Sequence, residues 1–161
     1  LKKAIELNLY TNKIINMINS WIVSIKCFFP YYNTNRLSLA VSLAYLNEQL
    51  ANSEITEYVD TLINSINFDN VIKEIDPRIN NINEGWLLSV FLLYTAEKYI
   101  CVNHPKYLLI RKTKIEILKR FKPNFEYKLS NYTNSFDLSL IKGISGISIM
   151  YVLCPEMLNI E

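Results

Sequence analysis

The stretch Glu54-Ile55-Thr56-Glu57-Tyr58-Val59-Asp60-Thr61-Leu62-Ile63-Asn64-Ser65-Ile66-Asn67-Phe68 decides the fold class. Its apolar residues Ile55, Tyr58, Val59, Leu62, Ile63 and Ile66 recur at i, i+3, i+4, i+7, i+8 and i+11, and Glu54, Glu57 and Asp60 fall between them. That spacing puts the apolar side chains on one face of a helix and the acids away from it, which predicts an amphipathic helix from Glu54 to Phe68. The segment before it, Leu37 to Leu50, is apolar nearly all round. Apart from Tyr45, its only polar residues before Asn47 are serines. A helix of that kind is predicted to be covered by protein on most sides. A buried helix followed by an amphipathic one is the unit from which the rest of the chain is read.

The unit recurs. Trp86 to Ile100 is again mostly apolar in its first half, and Lys106 to Phe121 is again amphipathic, now with a basic polar face. Leu138 to Leu153 reads as a third apolar helix, ended by Pro155. At the other end, Ile14, Ile15, Ile18, Trp21, Ile22 and Ile25 give helical spacing up to Lys26, and the run Phe28 to Asn35 breaks it. Asp76-Pro77, the stretch Asn80 to Asn83, and Pro123 to Ser135 read as loops. The apolar helices carry the triplets Leu43-Ala44-Tyr45, Leu92-Leu93-Tyr94 and Ile149-Met150-Tyr151, so Tyr45, Tyr94 and Tyr151 sit 49 and 57 residues apart. With only three glycines, the chain is expected to be all-α and built of helical-hairpin repeats. Two architectures fit: an open solenoid, or a closed double ring with apolar helices inside and amphipathic helices outside. The nearly all-apolar first helices favour the ring.

Composition narrows the function classes. The 161 residues carry 17 Lys and Arg against 15 Asp and Glu, for a net charge of +2, and half of them are hydrophobic. That is one domain's length, 1–161, with enough apolar content for a core. The near-neutral charge argues against a dedicated nucleic-acid binder. No apolar run approaches the ~20 residues needed to span a bilayer. Cys27, Cys101 and Cys154 are odd in number and widely spaced, which predicts reduced, buried thiols in a cytoplasmic protein rather than a disulfide framework. The chain opens on Leu1-Lys2-Lys3-Ala4-Ile5, without a methionine and in the manner of a helix interior. It is therefore expected to be a part of something longer.

Near the C-terminus the sequence becomes more specific. Lys142-Gly143-Ile144-Ser145-Gly146-Ile147-Ser148-Ile149-Met150-Tyr151, led in by Asp137-Leu138-Ser139-Leu140-Ile141, resembles the last repeat of lanthionine synthetase C-like proteins. Glycines three apart lie on one helix face and allow close approach of a neighbour. The segments Leu37 to Tyr45 and Gly85 to Tyr94 look like degraded copies. The resemblance implies an (α/α) toroid, of which this chain would supply roughly the last three repeats. It also implies peptide modification: cyclases of that family hold zinc with two cysteines and a histidine on loops before inner helices. The zinc activates a peptide thiol for addition to a dehydrated Ser or Thr.

The ligands themselves do not carry over. Where the family's Cys-His-Gly motif belongs, this chain has Asn80-Asn81-Ile82-Asn83-Glu84-Gly85-Trp86. Where its Trp-Cys-Tyr-Gly motif belongs, the chain has Pro30-Tyr31-Tyr32-Asn33-Thr34-Asn35-Arg36. Amides are poor substitutes for thiolate and imidazole around zinc. The expectation is a family member without zinc-dependent cyclase activity and with no catalytic residue, which binds a precursor peptide or a modification enzyme. Tyr31, Tyr32, Asn33, Asn35, Asn83 and Trp86 precede or begin inner helices, where a toroid has its ligand face, and are the candidate peptide- or partner-binding residues. Cys101 and His104, in a C-x-x-H spacing, are the weak metal candidates; zinc enters only if the site is rebuilt from such residues.

Three further readings complete the sequence. A helical-repeat scaffold with no tie to peptide modification is the alternative function. The basic run Lys106, Arg111, Lys112, Lys114, Lys119, Arg120 and Lys122, with Glu116 its only acid, is expected to form a solvated outer face able to dock an acidic peptide or partner subunit. Glu54, Glu57 and Asp60, a carboxylate set of the kind glycoside hydrolysis uses, are expected on a wet outer face.

Overall fold

A computed structural model of the chain describes residues 11–26, 30–76 and 85–130, with positions 148, 151, 152 and 155. The fold is all-α, as expected, with no strand among the described residues. Six helices follow in order: α1 (Thr11–Lys26), α2 (Asn33–Leu50), α3 (Ser53–Ser65), α4 (Phe68–Lys73), α5 (Gly85–Tyr99) and α6 (Tyr107–Ser130). None is long and apolar enough to cross a membrane. The chain divides into two compact units, Leu1–Ile66 and Asn67–Glu161.

In the first unit α2 and α3 pack against each other as a helical hairpin. α2 buries Leu37, Ala40, Val41, Leu43 and Leu46, and α3 answers with Ile55, Tyr58, Val59, Leu62 and Ile63. The turn between them is two residues long, so its hydrogen bonds are specific. Ala51 ends α2 in the left-handed conformation (φ 48°, ψ 39°), which satisfies a helix-terminal carbonyl through its own N–H on Asn47 O at 2.9 Å. Asn47 also accepts from Asn52 N at 2.7 Å and donates to Thr56 Oγ1 at 2.9 Å. Asn52 caps α3 by accepting from Glu54 N at 2.9 Å, and donates to Asn19 Oδ1 on α1 at 3.2 Å.

α3 stops at Ser65, three residues short of the expected Phe68. Ile66 leaves the helix in an extended conformation, yet its side chain stays buried. Asn67 then caps a second, short helix by accepting from Asn70 N at 3.2 Å. Asn after an apolar run is a good N-cap, and it outcompetes continuation of α3.

In the second unit α5 and α6 form a hairpin, and α4 packs on α6. α5 begins at Gly85, whose φ of 73° suits a glycine. It buries Trp86, Leu87, Val90, Leu92, Leu93 and Ala96. α6 corrects the sequence reading at its C-terminal end. The sequence predicts a loop from Pro123 to Ser135, but the helix runs through Pro123 to Ser130. Proline removes one bond, to the carbonyl of Lys119, and both residues are exposed, so water can satisfy that carbonyl. No glycine or second proline follows before Ser130. The Gly143 and Gly146 motif and the third apolar helix lie outside the described residues, apart from isolated positions.

Candidate functional site

The most distinctive exposed feature lies at the entrance to α2. Tyr31 is 84% exposed and Tyr32 57%. Their rings meet edge to face, with centroids 5.2 Å apart and planes at 89°. This arrangement is favoured by the ring quadrupole. Such rings would ordinarily swing freely in a loop. Here the backbone beneath them is pinned by Arg36, one turn into the helix. Its Nε donates to Pro30 O at 2.7 Å, one terminal nitrogen to Ser65 O at 3.0 Å, and the other to Tyr31 O at 3.3 Å. The guanidinium fork thus ties the N-terminal approach of α2 to the last turn of α3. Arg36 N also donates to Tyr32 O at 3.1 Å, which closes the first helical turn. Asn33, the first residue of α2, is buried, and Asn35 is exposed beside the pair.

The other candidates are placed differently. Trp86 is fully enclosed in the second unit, so it serves that unit's core and offers no open face. Asn83 lies outside the described residues, as do Cys27 and Cys154. Cys101 is a free, exposed thiol rather than a buried one. The reason is local: α5 ends at Tyr99, Ile100 is the last buried residue, and 101–106 form the turn to α6. In that turn His104 is half-buried and its Nδ1 accepts from Lys106 N at 3.1 Å, a bond that occupies one of the two nitrogens a metal would use. Among the described residues no group of three or more His, Cys, Asp or Glu is placed to hold a metal ion. Glu54, Glu57 and Asp60 are exposed on α3.

The basic run on α6 divides between two faces. Arg111, Lys112, Lys119 and Arg120 are exposed, and Arg120 leans on the Phe121 ring at 5.4 Å. Lys114 and Lys122 are buried. Lys114, only 2% exposed, pairs with Glu97 of α5, and its Nζ lies 5.5 Å from the centroid of the Tyr94 ring. The second carboxylate oxygen of Glu97 is buried and accepts no hydrogen bond among the described residues. Lys114 belongs to the run expected as a solvated outer face, and the structure buries it against Glu97, which the sequence does not mark. The available signal was register. Ile110, Thr113, Lys114, Ile117, Leu118 and Phe121 are the buried stripe of α6, and Lys114 falls in its middle. The role of Arg36 is not legible in the sequence because its anchor Ser65 is 29 residues away.

No protein-family model, curated protein or solved structure matches the chain.

Proposed function

We propose that this chain is a non-catalytic helical-hairpin protein that binds a peptide at the Tyr31–Tyr32 surface. We further infer that it is a degenerate arc of a lanthionine synthetase C-like (α/α) toroid, acting on a precursor peptide or its modification enzyme in the cytoplasm. One observation carries the binding reading: two large aromatic rings stand in solvent on a backbone that Arg36 holds at the carbonyls of Pro30 and Tyr31 and ties to Ser65 of α3. Tyrosine offers broad contact area at low entropic cost, and a pinned backbone lowers that cost further. The position before an apolar inner helix, where the resembled family receives its peptide, supports the same reading. The sequence there holds amides and tyrosines in place of thiols and imidazole, so the surface is suited to contact rather than to zinc chemistry.

A second reading is a scaffold unrelated to peptide modification, favoured by the exposed cations of α6. A titration separates them. A fluorescent Ser/Thr/Cys-rich synthetic peptide is expected to bind the full chain saturably, and the Tyr31→Ala, Tyr32→Ala double variant to weaken binding about tenfold, the loss of one anchoring aromatic contact or more. Absent binding, or equal binding by the variant, removes the Tyr31–Tyr32 reading and leaves the scaffold.

A further inference from the structure

Charge is segregated along this chain. Seven of its 17 cations and one of its 15 acids lie between Lys106 and Lys122, so the remainder carries a net negative charge. On α6 these cations do not form an even coat. Leu108, Arg111, Lys112, Ile115 and Lys119 follow the spacing i, i+3, i+4, i+7 and i+11, the pattern by which a helix packs against another. All five are exposed, with Leu108 at 76% and Ile115 at 37%. The buried stripe of Ile110, Thr113, Lys114, Ile117, Leu118 and Phe121 lies on another side of the helix. α6 therefore has two packing faces, and among the described residues of its unit only one is used. Among the described residues Arg111, Lys112 and Lys119 form no ion pair. The nearest acid in sequence, Glu116, sits at the edge of the strip.

We propose that this outer face of α6 docks an acidic amphipathic helix of a partner protein. Leu108 and Ile115 are seven residues apart, about 10 Å along the axis, the repeat at which a partner helix presents its own apolar side chains. Arg111, Lys112 and Lys119 flank that pair and select carboxylates beside the partner's apolar seam. An anionic membrane surface fits less well. The strip has no aromatic residue and only two apolar side chains, too little apolar area for interfacial insertion. The inference is independent of the Tyr31–Tyr32 reading, because it uses another helix and another partner chemistry.

The test uses the full chain and a labelled synthetic helix of Glu-rich heptads with leucines seven apart. Fluorescence anisotropy in dilute salt is expected to give saturable binding at about 10–100 μM, typical of a small charged interface. Arg111→Glu with Lys119→Glu is expected to weaken it at least tenfold, and Leu108→Ser with Ile115→Ser by about the same factor. A Lys-rich version of the peptide is expected not to bind. No saturable binding, or unchanged binding by the double serine variant, overturns the docking strip. So does tight binding to phosphatidylserine vesicles with none to the peptide. Each outcome reads α6 alone and leaves the Tyr31, Tyr32 titration to stand or fall separately.

Discussion

Replacing Glu97 with leucine would take the Glu97 carboxylate away from the Lys114 ammonium, which is 2% exposed and lies over the Tyr94 ring. Removing one partner of a buried ion pair costs about 3–5 kcal/mol. The cation–π contact with Tyr94 offsets ~1 kcal/mol of this, so about 3 kcal/mol is expected. Lys114→Met removes the cation but keeps the packing of its stem. It leaves Glu97, whose side chain is 12% exposed and which already has one unbonded buried oxygen. Access to water at that edge holds the expected loss to about 2 kcal/mol. Glu97→Leu with Lys114→Met removes both charges from the α5–α6 contact and is expected to fall within about 1 kcal/mol of the natural chain. The double-mutant cycle should therefore show coupling of roughly 3 kcal/mol or more. Urea unfolding followed by the fluorescence of Trp86, in a Trp21→Phe background, reads the right unit because Trp86 lies on α5. A loss of 3 kcal/mol moves the midpoint down by about 1–2 M. Single variants that each lose under ~1 kcal/mol, or a double variant as unstable as the sum of the singles, would refute the buried pair as a coupled unit.

Other outcomes follow from local geometry. Ala51 sits in the left-handed region at an exposed helix end, so Ala51→Gly is expected to stabilise the first unit by about 0.5–1 kcal/mol in thermal or urea unfolding. Asn52→Ala removes the α3 cap and the link to Asn19, and should cost about 1–2 kcal/mol by the same assay. Elemental mass spectrometry after dialysis against a weak chelator is expected to find zinc far below one equivalent per chain. One equivalent would implicate Cys101 and His104 and restore a cyclase-like mechanism.

Much of the helical order was legible, because burial imposes a period on the sequence. The α3 stripe from Ile55 to Ile63 and the apolar character of α5 translate directly into the observed core, whereas α2 buries one face and leaves Ser42 and Tyr45 exposed. Termini were less legible where two local rules compete. Asn67 reads equally as the tail of one helix or the cap of the next, and Pro123 as a stop or as an exposed interruption that water repairs. The surface was legible by charge but not by pairing. Nothing near Lys114 in sequence announces Glu97, and nothing near Arg36 announces Ser65, since both contacts depend on where another helix arrives. Tyr31 and Tyr32 were legible as a candidate surface from their place before an apolar helix, and their bracing by Arg36 was not. Trp86 shows the opposite limit: its place at a helix start said nothing of its enclosure in the core.

Binding at the Tyr31–Tyr32 surface is tested most directly by amide NMR of the full chain, titrated with the Ser/Thr/Cys-rich peptide. Saturable shift changes concentrated at Tyr31, Tyr32, Asn35 and Arg36, and abolished in the Tyr31→Ala, Tyr32→Ala variant, are the expected result. Shifts centred elsewhere, or none at millimolar peptide, would contradict it.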